Sequence, residues 1–216
     1  MNKMSEILKI DMNTKTYKVN EIFYSLQGEG ARAGTPNTFV RFSDCNLTCT
    51  FCDTEFLSGV EMTAHQIGLE VIKSGCGDVI FTGGEPLMQL DMSLINTIKS
   101  MIHNNNMTPH FSLETNGSIF LDDAIGLAMD WLVCSPKVAE HVVKKNLRSF
   151  VSEFRYVRKV GQGIPQPLSE ASFYCISPEA QGDVINKDNL DYCIQLVKDN
   201  PKWALSTQQH KIWGVR

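Results

Sequence analysis

The chain has no surplus of positive charge. Twenty Lys and Arg face 24 Asp and Glu, for a formal net charge of −4. Without excess cations to neutralise a phosphate backbone, bulk nucleic-acid binding is not expected. No apolar run approaches the ~20 residues needed to span a bilayer, so no membrane partner is expected. The opening MNKMSEILKIDMNTK has no apolar core of the secretory kind, and no signal peptide is expected. Seven cysteines, an odd count without secretory context, point to a reducing cytoplasm. No linker, low-complexity stretch or short repeat divides the sequence. A single domain over residues 1–216 is expected, with a hydrophobic content of 43% that suits a sizeable core. A second C-x2-C pair and an H-x3-H pair are also missing, so a four-ligand zinc site lacks half its donors.

What is present in concentrated form is thiol. Cys45, Cys49 and Cys52 stand in C-N-L-T-C-T-F-C, a C-x3-C-x2-C spacing. Closely spaced thiolates suit soft metals and iron–sulfur clusters. A [4Fe–4S] cube with three local cysteines leaves one iron open to the amino nitrogen and carboxylate of a small molecule. A redox dithiol formed by Cys49 and Cys52 is the competing reading, and it leaves Cys45 unexplained. Cys76, Cys134, Cys175 and Cys193 lie in or beside apolar segments and are expected as buried small hydrophobes.

Strands and helices alternate along the chain. Strands are expected at Thr38–Phe42, Asp78–Phe81, Phe111–Glu114, Trp131–Cys134, Phe154–Val157, Phe173–Ile176 and, briefly, Trp203–Ser206. Helices are expected at Thr63–Ser74 with a Thr63 cap, Ser93–His103, Ala139–Leu147 and Lys187–Lys198. This order predicts an α/β fold with a parallel sheet. Six such strands are too few for a closed eight-stranded barrel, so the expectation is a partial, opened parallel β/α barrel of about six strands. Chemistry in such folds sits at the C-terminal strand ends.

The unusual polar motifs fall at those ends. Thr82-Gly83-Gly84-Glu85-Pro86 follows an apolar strand, and its glycines permit close backbone approach to a ligand; an ordinary βα turn is the plainer reading. Glu114-Thr115-Asn116-Gly117 is either a strand-ending turn or a polar contact for a cofactor. Ser135-Pro136-Lys137 brings a hydroxyl and an ammonium to the next strand end. Leu26-Gln27-Gly28-Glu29-Gly30 reads as a tight loop before the first barrel strand. Arg41 lies within the apolar strand TFVRF and requires an anionic partner, either a substrate carboxylate or an internal Asp or Glu. Thr54 either caps a turn or supplies one oxygen to a magnesium ion. The tail carries Ile212, Trp213 and Val215, so it is expected to be tied down, and its end could place the Arg216 α-carboxylate in a pocket.

The cysteine loop, with Phe51 before its third cysteine, resembles that of the radical S-adenosylmethionine superfamily. More narrowly, the chain resembles the 7-carboxy-7-deazaguanine synthase family of 7-deazapurine and queuosine biosynthesis. The likeness runs through Glu21–Gly30, Phe39–Phe42, Cys45–Thr54, Thr82–Pro86, Glu114–Ser118, Val133–Lys137 and Gln208–Lys211. It implies conversion of 6-carboxy-5,6,7,8-tetrahydropterin to 7-carboxy-7-deazaguanine with loss of ammonia, through hydrogen abstraction at C6 and ring contraction. S-adenosylmethionine would be a recycled cofactor and Mg²⁺ an organiser of the substrate. The resemblance places the [4Fe–4S] cluster on Cys45, Cys49 and Cys52, and Mg²⁺ on Thr54. It places S-adenosylmethionine at Phe51, Gly84, Glu85, Glu114, Ser135, Pro136, Lys137, Ser177, Pro178, Glu179 and Ala180. It places substrate at Leu26, Gln27, Gly28, Glu29, Arg41, Thr82, His210 and Arg216. Two departures stand out: Ser177 where the family usually has Gln, and Ser43-Asp44 where Gly is common. A homodimer and a flavodoxin or ferredoxin electron donor are further implications. The rivals are a glycyl-radical activase, which needs an open groove for a protein loop, and a cluster carrier, which usually has four cysteines.

Overall fold

Alternating apolar residues in short β-branched and aromatic runs make strands when every second side chain can be buried. The computed structural model describes residues 14–49, 52, 55–137, 139, 142–180, 184 and 186–216. Its strands are β1 (Thr16–Leu26), β2 (Pro36–Phe42), β3 (Val60–Thr63), β4 (Asp78–Gly83), β5 (His110–Thr115), β6 (Trp131–Cys134), β7 (Glu153–Arg158), β8 (Phe173–Pro178) and β9 (Ala204–Leu205). They form one open sheet in the order β3-β1-β2-β4-β5-β6-β7-β8-β9. From β2 to β9 every pairing is parallel, while β1 runs antiparallel to both β2 and β3. The expected six parallel strands are β2 and β4 to β8, with the two-residue β9 added at one edge. β3 and β9 are outer strands, so the sheet does not close.

The helices are α1 (Ala64–Ile72), α2 (Met92–Asn104), α3 (Asp123–Ala128), α4 (Lys187–Lys198) and α5 (Gln209–Trp213). Thr63 caps α1 reciprocally: its hydroxyl accepts from Gln66 N at 3.2 Å, and Gln66 Oε1 accepts from Thr63 N at 2.8 Å. Such caps contribute about 1 kcal/mol. Asp91 caps α2 in one direction only, accepting from Leu94 N at 2.9 Å.

The period-two alternation sorts the sheet into two faces. Val40, Phe42, Val79, Phe81, Phe111, Leu113, Leu132, Phe154, Tyr156, Tyr174 and Ile176 join Ile67, Val71, Leu94, Ile98 and Ile102 of the helices in one core. Burying each such side chain stabilises by about 1.5–3 kcal/mol. The intervening residues, Arg41, Thr82, Glu114, Glu153, Arg155 and Ser177, therefore share the opposite, concave face. That segregation makes the inner face polar and available for chemistry.

Three sequence expectations change. β1 and β3 are additions to the expected strands: TYKVNEIFYSL is interrupted by Lys18, Asn20 and Glu21, because β1 is covered on one face only, and VEMT is short and largely exposed. The helix expected over Ala139–Leu147 is not formed by residues 142–149, which carry turns and a 3-10 helix at Leu147–Ser149. Part of that range lies outside the described residues. Lys144 N donates to Gly117 O at 2.9 Å, spending its bond on the β5 turn rather than on a helical carbonyl. α3 and α5 escape sequence reading because six and five residues give too little periodicity to detect.

Candidate active site

β2 ends at Phe42, and the chain leaves the sheet as the cysteine loop. Asp44 N donates to Phe56 O at 2.7 Å, pinning the start of the loop to the returning chain. Asp44 has φ of +67°, where Gly is easiest and Asp is among the better-tolerated residues. Cys45, Cys49 and Cys52 line one cavity together with Gly84, Thr115, Asn116, Ser135, Lys137 and Ser177. Leu47 N donates to Cys45 Sγ at 3.4 Å, and Asn116 Nδ2 approaches it at 4.0 Å. Burial pushes the Cys45 and Cys49 thiols up, and the Lys137 ammonium pulls Cys49 back. Lys137 Nζ donates to Ser135 Oγ at 2.8 Å.

Three thiols share this cavity with polar strand ends, the donor types for a cluster that binds a small chelating molecule at its open corner; no three His, Cys, Asp or Glu side chains among the described residues converge on a single metal ion. Ser177 supplies a separate indication. Its hydroxyl is buried, has no hydrogen-bond partner among the described residues, and belongs to a residue that lines this cavity. An unsatisfied buried hydroxyl costs about 1–3 kcal/mol, so a bound ligand is its natural partner.

The Gly83-Gly84-Glu85 turn differs from expectation. A Cβ on Gly83 would lie 2.2 Å from Phe42 O, and one on Gly84 would lie 1.9 Å from Asp44 O. Gly83 is needed for close approach to the end of β2, and Gly84 for approach to the cysteine loop's own backbone. Gly84 N donates to Phe42 O at 3.0 Å and Glu85 N to Asp44 O at 2.9 Å, fastening the loop to the end of β4. Glu85 is expected to offer its carboxylate to the cofactor; instead it is fully buried. It accepts from Thr115 Oγ1 at 2.8 Å, Asn116 N at 2.8 Å and Leu87 N at 3.1 Å. Burial pushes its carboxyl up against these donors. Its role is to bolt the β4 turn to the β5 turn. Glu179 also turns away: its N–H donates to Arg158 O at 2.8 Å, its carboxylate meets Lys159 Nζ at 3.6 Å, and its carbonyl accepts from Asn189 of α4. Pro136 is buried between the two cavity-lining residues Ser135 and Lys137. Pro178 and Ala180 line the cavity.

A second cavity, of about 570 Å³, adjoins the first and shares Glu29, Thr82, Glu114, Arg155 and Gln208 with it. All eight residues expected at the substrate lie in its wall: Leu26, Gln27, Gly28, Glu29, Arg41, Thr82, His210 and Arg216. The carboxyl-terminal tail forms its roof. Gln209 N donates to Gly28 O at 2.9 Å, and a Cβ on Gly28 would lie 2.0 Å from the His210 ring. The alternative left open at Arg41 includes an internal carboxylate: Nε lies 2.9 Å from Oε1 of Glu21, its cross-strand partner on β1. Arg216 meets the other oxygen of Glu21, and both guanidiniums lie over the Phe23 ring at 5.5 Å.

Glu114, expected at the cofactor, sits between the two cavities. It accepts from Gln27 Nε2 at 3.0 Å, Thr82 Oγ1 at 3.0 Å and Arg155 Nη1 at 3.3 Å. Burial raises its carboxyl, but Arg155 and these hydrogen bonds outweigh that and hold it below the usual range. Arg155 is the residue that sequence reading missed. It also pairs with Glu29 at 3.2 Å and Glu153 at 3.0 Å. Its signal is present in the sequence: in E-F-R-Y, Glu153 and Arg155 share the face opposite Phe154 and Tyr156, and a charged pair on a central strand calls for buried partners.

Comparison with known proteins bears on this geometry. Residues 39–159, more than half of the chain, match the Radical SAM superfamily model. A 7-carboxy-7-deazaguanine synthase from Bacteroides thetaiotaomicron is 36% identical over 92% of this chain and 98% of its own length. One from Neisseria meningitidis serogroup B is 34% identical over 92% of this chain and 94% of its own. The chain belongs to the 7-carboxy-7-deazaguanine synthase family. The crystal structure of QueE from Escherichia coli shares its fold, with a TM-score of 0.65 at 19% identity, covering 90% of this chain and 95% of that one. As a member of the family, the chain uses a [4Fe–4S] cluster and S-adenosylmethionine, and the cysteine-lined cavity has the donor set for both. Phe51 and Thr54, expected at cofactor and magnesium, lie outside the described residues.

Proposed function

We propose that this chain converts 6-carboxy-5,6,7,8-tetrahydropterin to 7-carboxy-7-deazaguanine with loss of ammonia, as a radical S-adenosylmethionine enzyme. The observation that carries the reading is the pair of adjoining cavities, one walled by three thiols and the other by opposed charges, with a common wall between them. When bound, the cluster and S-adenosylmethionine supply reductive radical chemistry able to take a hydrogen atom from C6 of the substrate. The chain's own residues bind and orient. Gly84, Ser135, Lys137 and the Ser177 hydroxyl hold S-adenosylmethionine against the cysteine loop. Arg41 offers its planar fork to the substrate carboxylate beside Glu21, while Gln27 and Thr82 fix the ring. The tail over the second cavity keeps water from the reacting carbon. That roof favours a small substrate over the protein loop that a glycyl-radical activase must admit.

Thr54 as the single protein oxygen on Mg²⁺ is part of the same proposal, since Mg²⁺ keeps water and substrate oxygens as its other ligands. A homodimer, a flavodoxin- or ferredoxin-type electron donor and a cytoplasmic setting complete it. In support of the setting, all seven cysteines are free, and no helix among the described residues is long and apolar enough to cross a membrane. The deciding experiment is anaerobic turnover of the reconstituted protein with the tetrahydropterin acid and a strong reductant. Formation of the deazapurine acid supports the reading. Cleavage of S-adenosylmethionine without that product would reject it.

A further inference from the structure

One guanidinium meeting three carboxylates is an unusual balance for a buried site. Arg155 is nearly buried, and its fork reaches Glu29, Glu114 and Glu153 at 3.2, 3.3 and 3.0 Å. The three arrive from different parts of the chain. Glu153 shares β7, Glu114 is on β5, and Glu29 is in the loop after β1. Glu153 also holds backbone: it is fully buried, and its Oε2 accepts from Ala31 N at 3.0 Å. Gly30 packs against it so closely that a Cβ there would lie 2.0 Å from Glu153 Oε1 and 2.6 Å from Arg155 Nη2. The β7 pair therefore seats the Gly28–Ala31 turn across the concave face.

The charge count leaves the group net anionic. Glu114 is well supplied with donors, whereas the Glu29 carboxylate has Arg155 as its one partner among the described residues. Both carboxylates belong to the wall shared by the two cavities. Arg41, at the cationic side of the second cavity, is on β2, and Glu114 is on β5 with β4 between them. Two strand spacings separate these positions by about 10 Å. A ligand of bicyclic length, with a carboxylate at one end and N–H donors at the other, matches that arrangement.

We propose that Arg155 is a positioning residue that holds the Glu29 and Glu114 carboxylates at the junction of the two cavities, where they accept hydrogen bonds from the N–H groups of the substrate. This rests on the substrate reading given above. Arg155 does not itself need to touch the substrate. Its planar fork serves several carboxylates at once, which a lysine ammonium on a flexible stem does not reproduce. Losing the fork releases the Gly28–Ala31 turn and lets Glu29 swing; Gly28 and the tail packed on it line the second cavity alone, so the larger cost falls on substrate binding.

The test compares parent, Arg155→Lys and Glu29→Gln as reconstituted holoenzymes, with steady-state kinetics for the tetrahydropterin acid and for S-adenosylmethionine. Arg155→Lys should raise KM for the pterin acid about ten-fold or more, as expected for lost charge-assisted hydrogen bonds. KM for S-adenosylmethionine, cluster absorbance and substrate-free formation of 5′-deoxyadenosine should stay near parental values. Glu29→Gln preserves shape and guards against a misfolded Arg155→Lys protein; it should raise the same KM selectively. A merely structural Arg155 would weaken both ligands together and lower cluster content, and that outcome overturns the proposal. Parental KM for the pterin acid in both variants overturns it as well. A parent protein that cleaves S-adenosylmethionine but never converts the pterin acid rejects the substrate reading, and the proposal with it.

Discussion

Gly84→Ala is the sharpest test of how the cysteine loop is held. The added Cβ would stand 1.9 Å from Asp44 O, 2.5 Å from Asp44 C and 3.1 Å from Cys45 N. All three are backbone atoms, so no flexible side chain can step aside. Ordinary contact requires the loop to retreat by about 1.5 Å. That retreat carries the Glu85 N to Asp44 O bond, now 2.9 Å, out of hydrogen-bonding range. The lost bond costs about 1 kcal/mol and the overpacking about 1–3 kcal/mol. The total, about 2–4 kcal/mol, is a large fraction of the roughly 5–15 kcal/mol that typically separates folded from unfolded chains. It falls on the loop that presents Cys45, so cluster incorporation should drop with stability. The assay is the urea unfolding midpoint, together with iron and sulfide content after anaerobic reconstitution. Gly163→Ala is the control, because a Cβ there meets nothing within 4 Å. If Gly84→Ala matches Gly163→Ala in both measurements, the glycine does not serve close approach of the loop and the reasoning fails.

Other perturbations should separate holding from binding. Glu85→Gln keeps the shape but sets an amide N–H₂ against either Asn116 N or the Leu87 N and Thr115 hydroxyl donors; a loss of about 1–3 kcal/mol is expected by urea titration, and an unchanged midpoint would reject the bolting role. Ser177→Ala removes a buried hydroxyl that has no partner among the described residues, so the ligand-free protein should hold or gain thermal stability while KM for S-adenosylmethionine rises; an unaltered KM would show that the hydroxyl meets no cofactor. Glu114 titrates below the usual carboxylate range when folded, so its stabilising contribution is complete above about pH 4.3 and is lost as pH falls through the depressed folded value. Unfolding midpoints measured down the acid limb should decline less steeply in Glu114→Gln than in the parent, and identical slopes would remove Glu114 from the linkage. Cys49→Ala should abolish the visible absorption of the reconstituted cluster, and unchanged iron and sulfide content would remove the thiol from the cluster.

Local sequence determined the elements whose pattern is self-contained. TFVRF, DVIF, WLVC and FYCI are short runs ended by turn residues, too short for a buried helix and rich in β-branched and aromatic side chains, and each is a strand of the parallel part of the sheet. Thr63 with Gln66 three residues on specifies a helix start by itself. The C-x3-C-x2-C spacing concentrates thiols within one loop, whatever the rest of the chain does. The tail is seated as expected, but not by the residues that suggested it: Ile212, Trp213 and Val215 are exposed, and the bond from Gln209 N to Gly28 O and the Arg216–Glu21 pair hold it. β1 was not legible, because a strand covered on one face mixes polar and apolar residues as a surface loop does.

Partnerships across the sheet were decided only by tertiary structure. Nothing within T-G-G-E-P says that its glycines serve the end of β2 and the cysteine loop's backbone, or that Glu85 is spent on Thr115 and Asn116. Those facts depend on β2, β4 and β5 lying side by side. Arg41 announced its need for an anion, but the choice of Glu21 follows from antiparallel register. Arg155 was visible as a charge in a strand, yet its three partners come from positions 29, 114 and 153. Hydrophobic patterning is a short-range property of the chain, readable one strand at a time. A buried charge is satisfied by whatever the fold brings within about 3 Å, and that is a property of the assembled sheet.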